Sequence, residues 1–155
     1  MPADLQRLFR AGLLTALIDG LFSSALSAFA YGSTVARLWQ GVASVLLGDS
    51  ALEGGARTVV IGILMHVGVA FAWSAVFVFV VMRWRWVRAA TATPLGIAKV
   101  AALYGPFIWL VMSLVVIPLF TQRPPAITFR WWVQLLGHIP FVAVPIVAAS
   151  VTRAR

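Results

Sequence analysis

The chain has no cysteine, which excludes disulfides, thiolate metal sites and cysteine nucleophiles. Charge is also scarce. Only 10% of the 155 residues are Asp, Glu, Lys or Arg, and four of these are acidic. The one carboxylate inside a long apolar run, Asp19, has no acidic partner for paired acid–base work. A phosphate loop, a nucleophile elbow and an HExxH metalloprotease motif are all missing. Basic residues within the apolar runs are too few to line a path for polyanions.

Apolar residues dominate what remains. They make up 62% of the chain, and the mean hydropathy is +0.98. A soluble domain of this length cannot hide that much apolar surface, whereas lipid can cover it. The net charge of +8 comes from arginines at the ends of apolar runs. That placement suits membrane flanks and anionic headgroups, so the lipid bilayer is the expected partner and nucleic acid is not. The length allows one membrane domain over 1–155.

A helix needs about 20 apolar residues to cross a hydrocarbon core of about 30 Å. Four segments qualify, at 11–31, 58–82, 94–120 and 131–151. Lipid enforces helix in such segments, because no water is present to satisfy the backbone. The expected fold is therefore all-α, an integral membrane four-helix bundle. Arg7, Arg10 and Ala28-Phe29-Ala30 give the first span the look of a secretory signal, but its length and its central Asp19 favour a retained span. Arg7, Arg10, Arg83, Arg85, Arg88, Lys99, Arg153 and Arg155 would lie on one side, and Arg37, Arg57, Arg123 and Arg130 on the other. This asymmetry places both termini in the cytoplasm, with Trp84 and Trp86 at the inner interface and Trp131 and Trp132 at the outer one. Lys99 can snorkel to the inner headgroups.

In the first outer loop Val35, Leu38, Trp39, Val42, Val45 and Leu46 recur at helical spacing. The run is too short to span, so a surface amphipathic helix is expected over 34–47, as plain cover for the bundle or as a functional lid. Pro124-Pro125 stiffens the second outer loop. Leu64-Met65-His66-Val67 echoes Leu136-Gly137-His138-Ile139, a pattern that duplication of a helical hairpin would explain.

Ionisable groups in lipid are costly and each needs a reason. Thr15, Asp19, Ser23 and Ser27 stand four apart, as do Thr58, Gly62, His66, Ala70 and Ser74, and as do Arg130, Gln134 and His138. Residues at that spacing share a helix face, so the stripes should turn to the bundle interior. At about 1.5 Å per residue, His66 would lie ~12 Å and His138 ~10 Å below the outer boundary, with Asp19 beneath them at ~18 Å. Tyr104 would lie deeper still. The candidate cluster is thus Asp19, His66, His138, Ser23, Ser27, Gln134 and Tyr104. It can fix helix packing through interhelical hydrogen bonds. It can bind or pass protons or a small solute, with histidine titrating near neutral pH. A haem held by His66 and His138 is the alternative. A divalent metal on two histidines and Asp19 is disfavoured by the depth of Asp19. Breaks at Gly105-Pro106 or His138-Ile139-Pro140 would expose backbone to a ligand.

Met65-His66 through Ala75-Val76-Phe77, Ile117-Pro118-Leu119 with Pro124-Pro125, Gly137-His138 and the Gly/Ala-rich first helix resemble the YagU-type family of small bacterial inner-membrane proteins. The chain is shorter than that family in the loop after helix one and at both ends. The resemblance implies a multi-pass inner-membrane location and supports the topology and the Gly-His positions, but it carries no biochemical activity. Together these features point to a non-enzymatic protein that binds or passes a small solute or proton, or to a structural subunit or homo-oligomer.

Overall fold

The computed structural model describes residues 1–151, so Arg153 and Arg155 lie outside the described residues. Four long apolar helices form the bundle: α1 (Ala3–Ala30), α3 (Gly55–Arg83), α5 (Pro94–Thr121) and α6 (Phe129–Val151). Two shorter helices join them, α2 (Val35–Leu47) between α1 and α3, and α4 (Arg85–Ala90) between α3 and α5. The fold is the all-α membrane bundle that composition requires. Leu13, Leu17, Leu21, Phe29, Leu64, Leu103 and Leu119 point outward, a surface only lipid can cover at that density. The end of the bundle carrying α2 is called here the loop end. The opposite end, carrying Ala3 and α4, is the terminal end.

Three of the four spans start earlier than hydropathy suggests. Helix α1 begins at Ala3, α3 at Gly55 and α6 at Phe129. The extra turns at Ala3–Arg10 and Gly55–Arg57 carry charge, and they lie where charged side chains can reach headgroups. Arg7 pairs with Asp4 at 3.0 Å within that first turn.

Three π-turns interrupt the spans, at Leu26–Ala30, Met112–Val116 and Ile139–Ala143. The last two each lie just before a proline, Pro118 and Pro145. A proline ring clashes with the carbonyl four residues back, and a widened turn relieves that clash. Of the two places where a break would expose backbone, Gly105-Pro106 stays α-helical. The break after His138 does occur, as the π-turn at Ile139–Ala143.

Helix α1 packs between α3 and α6, and α6 packs between α1 and α5. Side chains link α3 to α5: the Tyr104 hydroxyl donates to the Trp73 carbonyl at 2.8 Å, and the Phe77 and Tyr104 rings meet at 5.0 Å. The apolar core, including Phe77, Val87, Val100, Ile108, Ile146 and Val147, runs from mid-bundle to the terminal end.

Helix α2 does more than lie on a surface. The Thr34 hydroxyl caps it by accepting from the Arg37 N–H at 3.0 Å. Its backbone rests on α3 at Gly62, where a Cβ would overlap the Trp39 carbonyl. Trp39 and Ala43 are buried in that contact. The Arg37 guanidinium donates to the Leu52 carbonyl at 3.0 Å, and Gly48, at φ +74°, makes the turn that brings the chain back.

Candidate intramembrane polar site

The polar stripes face inward. Thr15, Ser27, Thr58, Gly62 and Ser74 are all buried, while Leu and Val residues take the outer faces. From these stripes Asp19 and His66 come together, with Asp19 Oδ2 lying 3.8 Å from His66 Nδ1. The depth expectation is corrected here. Asp19 is level with His66, not beneath it. Helix α3 starts three residues before the hydropathic boundary, so His66 is eleven residues inside it, or ~16 Å by helix rise.

The hydrogen bonds fix the state of each ring. His66 Nε2 lies 3.0 Å from the Ala16 carbonyl. A carbonyl only accepts, so Nε2 carries the hydrogen. Nδ1 therefore meets Asp19 across a gap in which either Nδ1 or the carboxyl can hold the one remaining proton. On α6, His138 Nδ1 donates to the Gln134 carbonyl at 2.7 Å, which leaves Nε2 as the free nitrogen. His138 lies within electrostatic reach of both Asp19 and His66. Ser23, one turn along α1, interacts with the same carboxylate through its side chain.

Indoles flank both imidazoles. Trp39 of α2 approaches His66 with ring centroids 5.1 Å apart, and its tip lies over Gly20, where a Cβ would be 3.6 Å from it. Trp109 of α5 lies 4.9 Å from His138 and 6.2 Å from Trp131. At the loop end, Tyr31 carries the Arg130 guanidinium over its ring at 4.3 Å. An open groove of about 630 Å³ lies there, lined by Ala30, Tyr31, Thr128, Phe129 and Arg130.

Two of the candidate residues stand apart. Tyr104 belongs to the core at the terminal side, with its hydroxyl on the Trp73 carbonyl. Ser27 donates to the Thr34 carbonyl at 3.0 Å and so ties the end of α1 to the start of α2. Gln134 contributes its backbone carbonyl to His138. From the sequence alone Trp39 counts only as part of the surface helix, and Trp109 is not singled out. Of the two tryptophans at the start of α6, Trp131 is buried inside the bundle and Trp132 is exposed. A usable signal was present: Trp109 stands in mid-span, where an indole N–H needs a partner that lipid cannot supply.

The site does not fit haem. His66 has its Nε2 bound to a carbonyl, and the surroundings are closed. A Cβ on Gly20 would lie 3.4 Å from His66 Nε2, one on Gly137 would press on Phe22 at 2.7 Å, and Phe22 stacks on Phe141 at 3.9 Å. A porphyrin slot between the two imidazoles would have to displace all of this. Among the described residues, no three His, Asp or Glu side chains are placed to hold a metal ion.

Fold and surface together define a multi-pass membrane protein with a polar cluster inside its four-helix bundle. No family model, curated protein or solved structure matches the chain.

Proposed function

We propose that this chain is a bacterial inner-membrane protein, related to the YagU type, whose Asp19–His66 pair binds and passes a proton, alone or with a small solute. One observation carries the reading. In mid-bundle a carboxylate faces an imidazole nitrogen at 3.8 Å, while the other ring nitrogen is held by a carbonyl. A pair arranged in this way has one proton and two places for it. That is the elementary unit of a relay, and an ionisable group in lipid is functional by default. His138, with a free Nε2 close by, extends the set toward α6. The arginine asymmetry supports a cytoplasmic terminal end and an outer loop end. In this reading the protein works alone, as an oligomer, or as a subunit of a larger complex.

Proton flux into liposomes tests the proposal. Asp19→Asn keeps size and polarity but cannot release a proton. Flux is expected to fall about a hundredfold or more, at the low end of what a positioned acid–base group contributes. Flux equal to that of the unmodified protein would reduce the cluster to a packing device.

A further inference from the structure

Several buried polar side-chain atoms lack a hydrogen-bond partner, and they differ in how easily they can find one. The hydroxyls of Thr15, Ser74 and Ser113 can turn back to the carbonyl one turn earlier on their own helix, as Ser150 does to Ile146 at 2.7 Å. Four other atoms have no such escape: Asp19 Oδ1, Tyr31 OH, Trp109 Nε1 and Trp131 Nε1. Leaving each one bare carries the full desolvation penalty of that group. Asp19, Trp109 and Trp131 sit on three different helices and Tyr31 lies just past the end of α1, all between mid-bundle and the loop end. They also form a series. Tyr31 lines the groove beside Arg130, Trp131 is the next residue of α6, Trp109 lies 6.2 Å from Trp131, His138 lies 4.9 Å from Trp109, and Gly137, beside His138, packs on Phe22, three residues along α1 from Asp19. Below Asp19 the character changes to the sealed apolar core around Phe77, Ile108 and Ile146.

We infer that the loop-end half of the bundle is a water-lined half-channel, running from the Tyr31–Arg130 groove past Trp131 and Trp109 to Asp19 and stopped there by the apolar core. Water is the ligand that satisfies two indole donors, a phenol and a carboxylate oxygen in one file. Such a file also delivers hydronium to Asp19 from one side of the membrane only. The inference rests on the proposed function for its end point, but the water path itself can be tested without it.

Because the chain has no cysteine, single-cysteine variants have no background. Gln134→Cys, one turn from both Trp131 and His138 on α6, and Ser113→Cys, one turn from Trp109 on α5, probe the path, Ile146→Cys the core, and Ser50→Cys the exposed loop. The probe is a membrane-impermeant, positively charged methanethiosulfonate, added to the loop side of proteoliposomes. Only the hydrated thiolate reacts, so Gln134→Cys and Ser113→Cys should label at least about tenfold faster than Ile146→Cys. Labelling no faster than Ile146→Cys, with Ser50→Cys fully labelled, overturns the half-channel. In unmodified protein the indole N–H groups of Trp109 and Trp131, assigned through Trp→Phe variants, should exchange with deuterated water within minutes. Protection over hours overturns it equally. A labelled path with normal flux in Asp19→Asn would leave the half-channel standing and remove the relay. Lost flux with an unreactive path would do the reverse.

Discussion

At the scale of single residues, the site is held by positions that have no side chain to offer. A Cβ on Gly105 would come within 2.6 Å of the His138 carbonyl oxygen and 2.9 Å of the Ile139 nitrogen. Both are backbone atoms of α6 and cannot step aside. Gly105→Ala should therefore push α6 from α5 and move His138, at a cost of about 1–3 kcal/mol by the usual scale of overpacking. Gly68 is the control. It lies in α3 with nothing near its missing Cβ, so Gly68→Ala should be neutral or slightly stabilising. Unfolding of both variants in mixed detergent micelles checks the contrast, and equal stability would mean that α5 and α6 do not meet at Gly105. The histidines show how a residue's meaning depends on its neighbours. The residue type allowed haem, metal, packing or proton transfer, and the carbonyls of Ala16 and Gln134 chose which nitrogen stays free.

At the scale of elements, α2 is the unexpected part. The helical spacing of its apolar residues was legible in the sequence, which favoured plain cover over a functional lid. The structure seats α2 on α3 at Gly62 and turns Trp39 toward His66. A single ion pair ties the turn after α2 to the loop between α5 and α6: Arg123 meets Asp49 through two contacts, at 2.7 and 3.2 Å. That guanidinium holds the Asp49 carboxyl below its ordinary range, and the carboxylate raises Arg123. The sign follows. A depressed carboxyl contributes stability that is present above the ordinary carboxylate range near pH 4 and is lost as pH falls through the lowered value. Spin labels at Ser50 and Gln122 should therefore keep one short distance from neutral pH to about pH 5 and spread only in stronger acid. Both partners are solvent-exposed, so molar salt should also loosen the link. A distance indifferent to acid, salt and Asp49→Asn would show that the loops are held by packing alone.

At the scale of the whole molecule, the bundle is polarised. Its core is dense and apolar from mid-bundle to the terminal end, while the phenol and indole donors without a partner, Tyr31, Trp109 and Trp131, lie toward the loop end. Arg83, Arg85 and Arg88 stand at the terminal end beside the exposed, stacked Trp84 and Trp86. These arginines supply much of the bias that sets orientation. Replacing all three with Gln should give a mixed population in which labels at Ser50 react from either side of the membrane. A uniform orientation in that variant would assign the bias to Arg7, Arg10 and Lys99 instead. The glycines that permit close helix contact, Gly12, Gly20, Gly62, Gly105 and Gly137, face partners within the same chain.

The sequence by itself determined the solvent, the number of spans and the inward stripes, because each is set by composition or by a period along one chain. A run of apolar residues fixes its medium, and a four-residue spacing fixes a face. Depth, partners and closure were not legible there. Depth needed helix starts, which charged turns at Ala3 and Gly55 shift beyond the hydropathic boundary. The meeting of Asp19 with His66, the exclusion of Tyr104 and the recruitment of Trp39 and Trp109 depend on how rigid helices cross. Crossing is decided by small residues and π-turns acting between segments far apart in the chain, and only the tertiary structure brings those together.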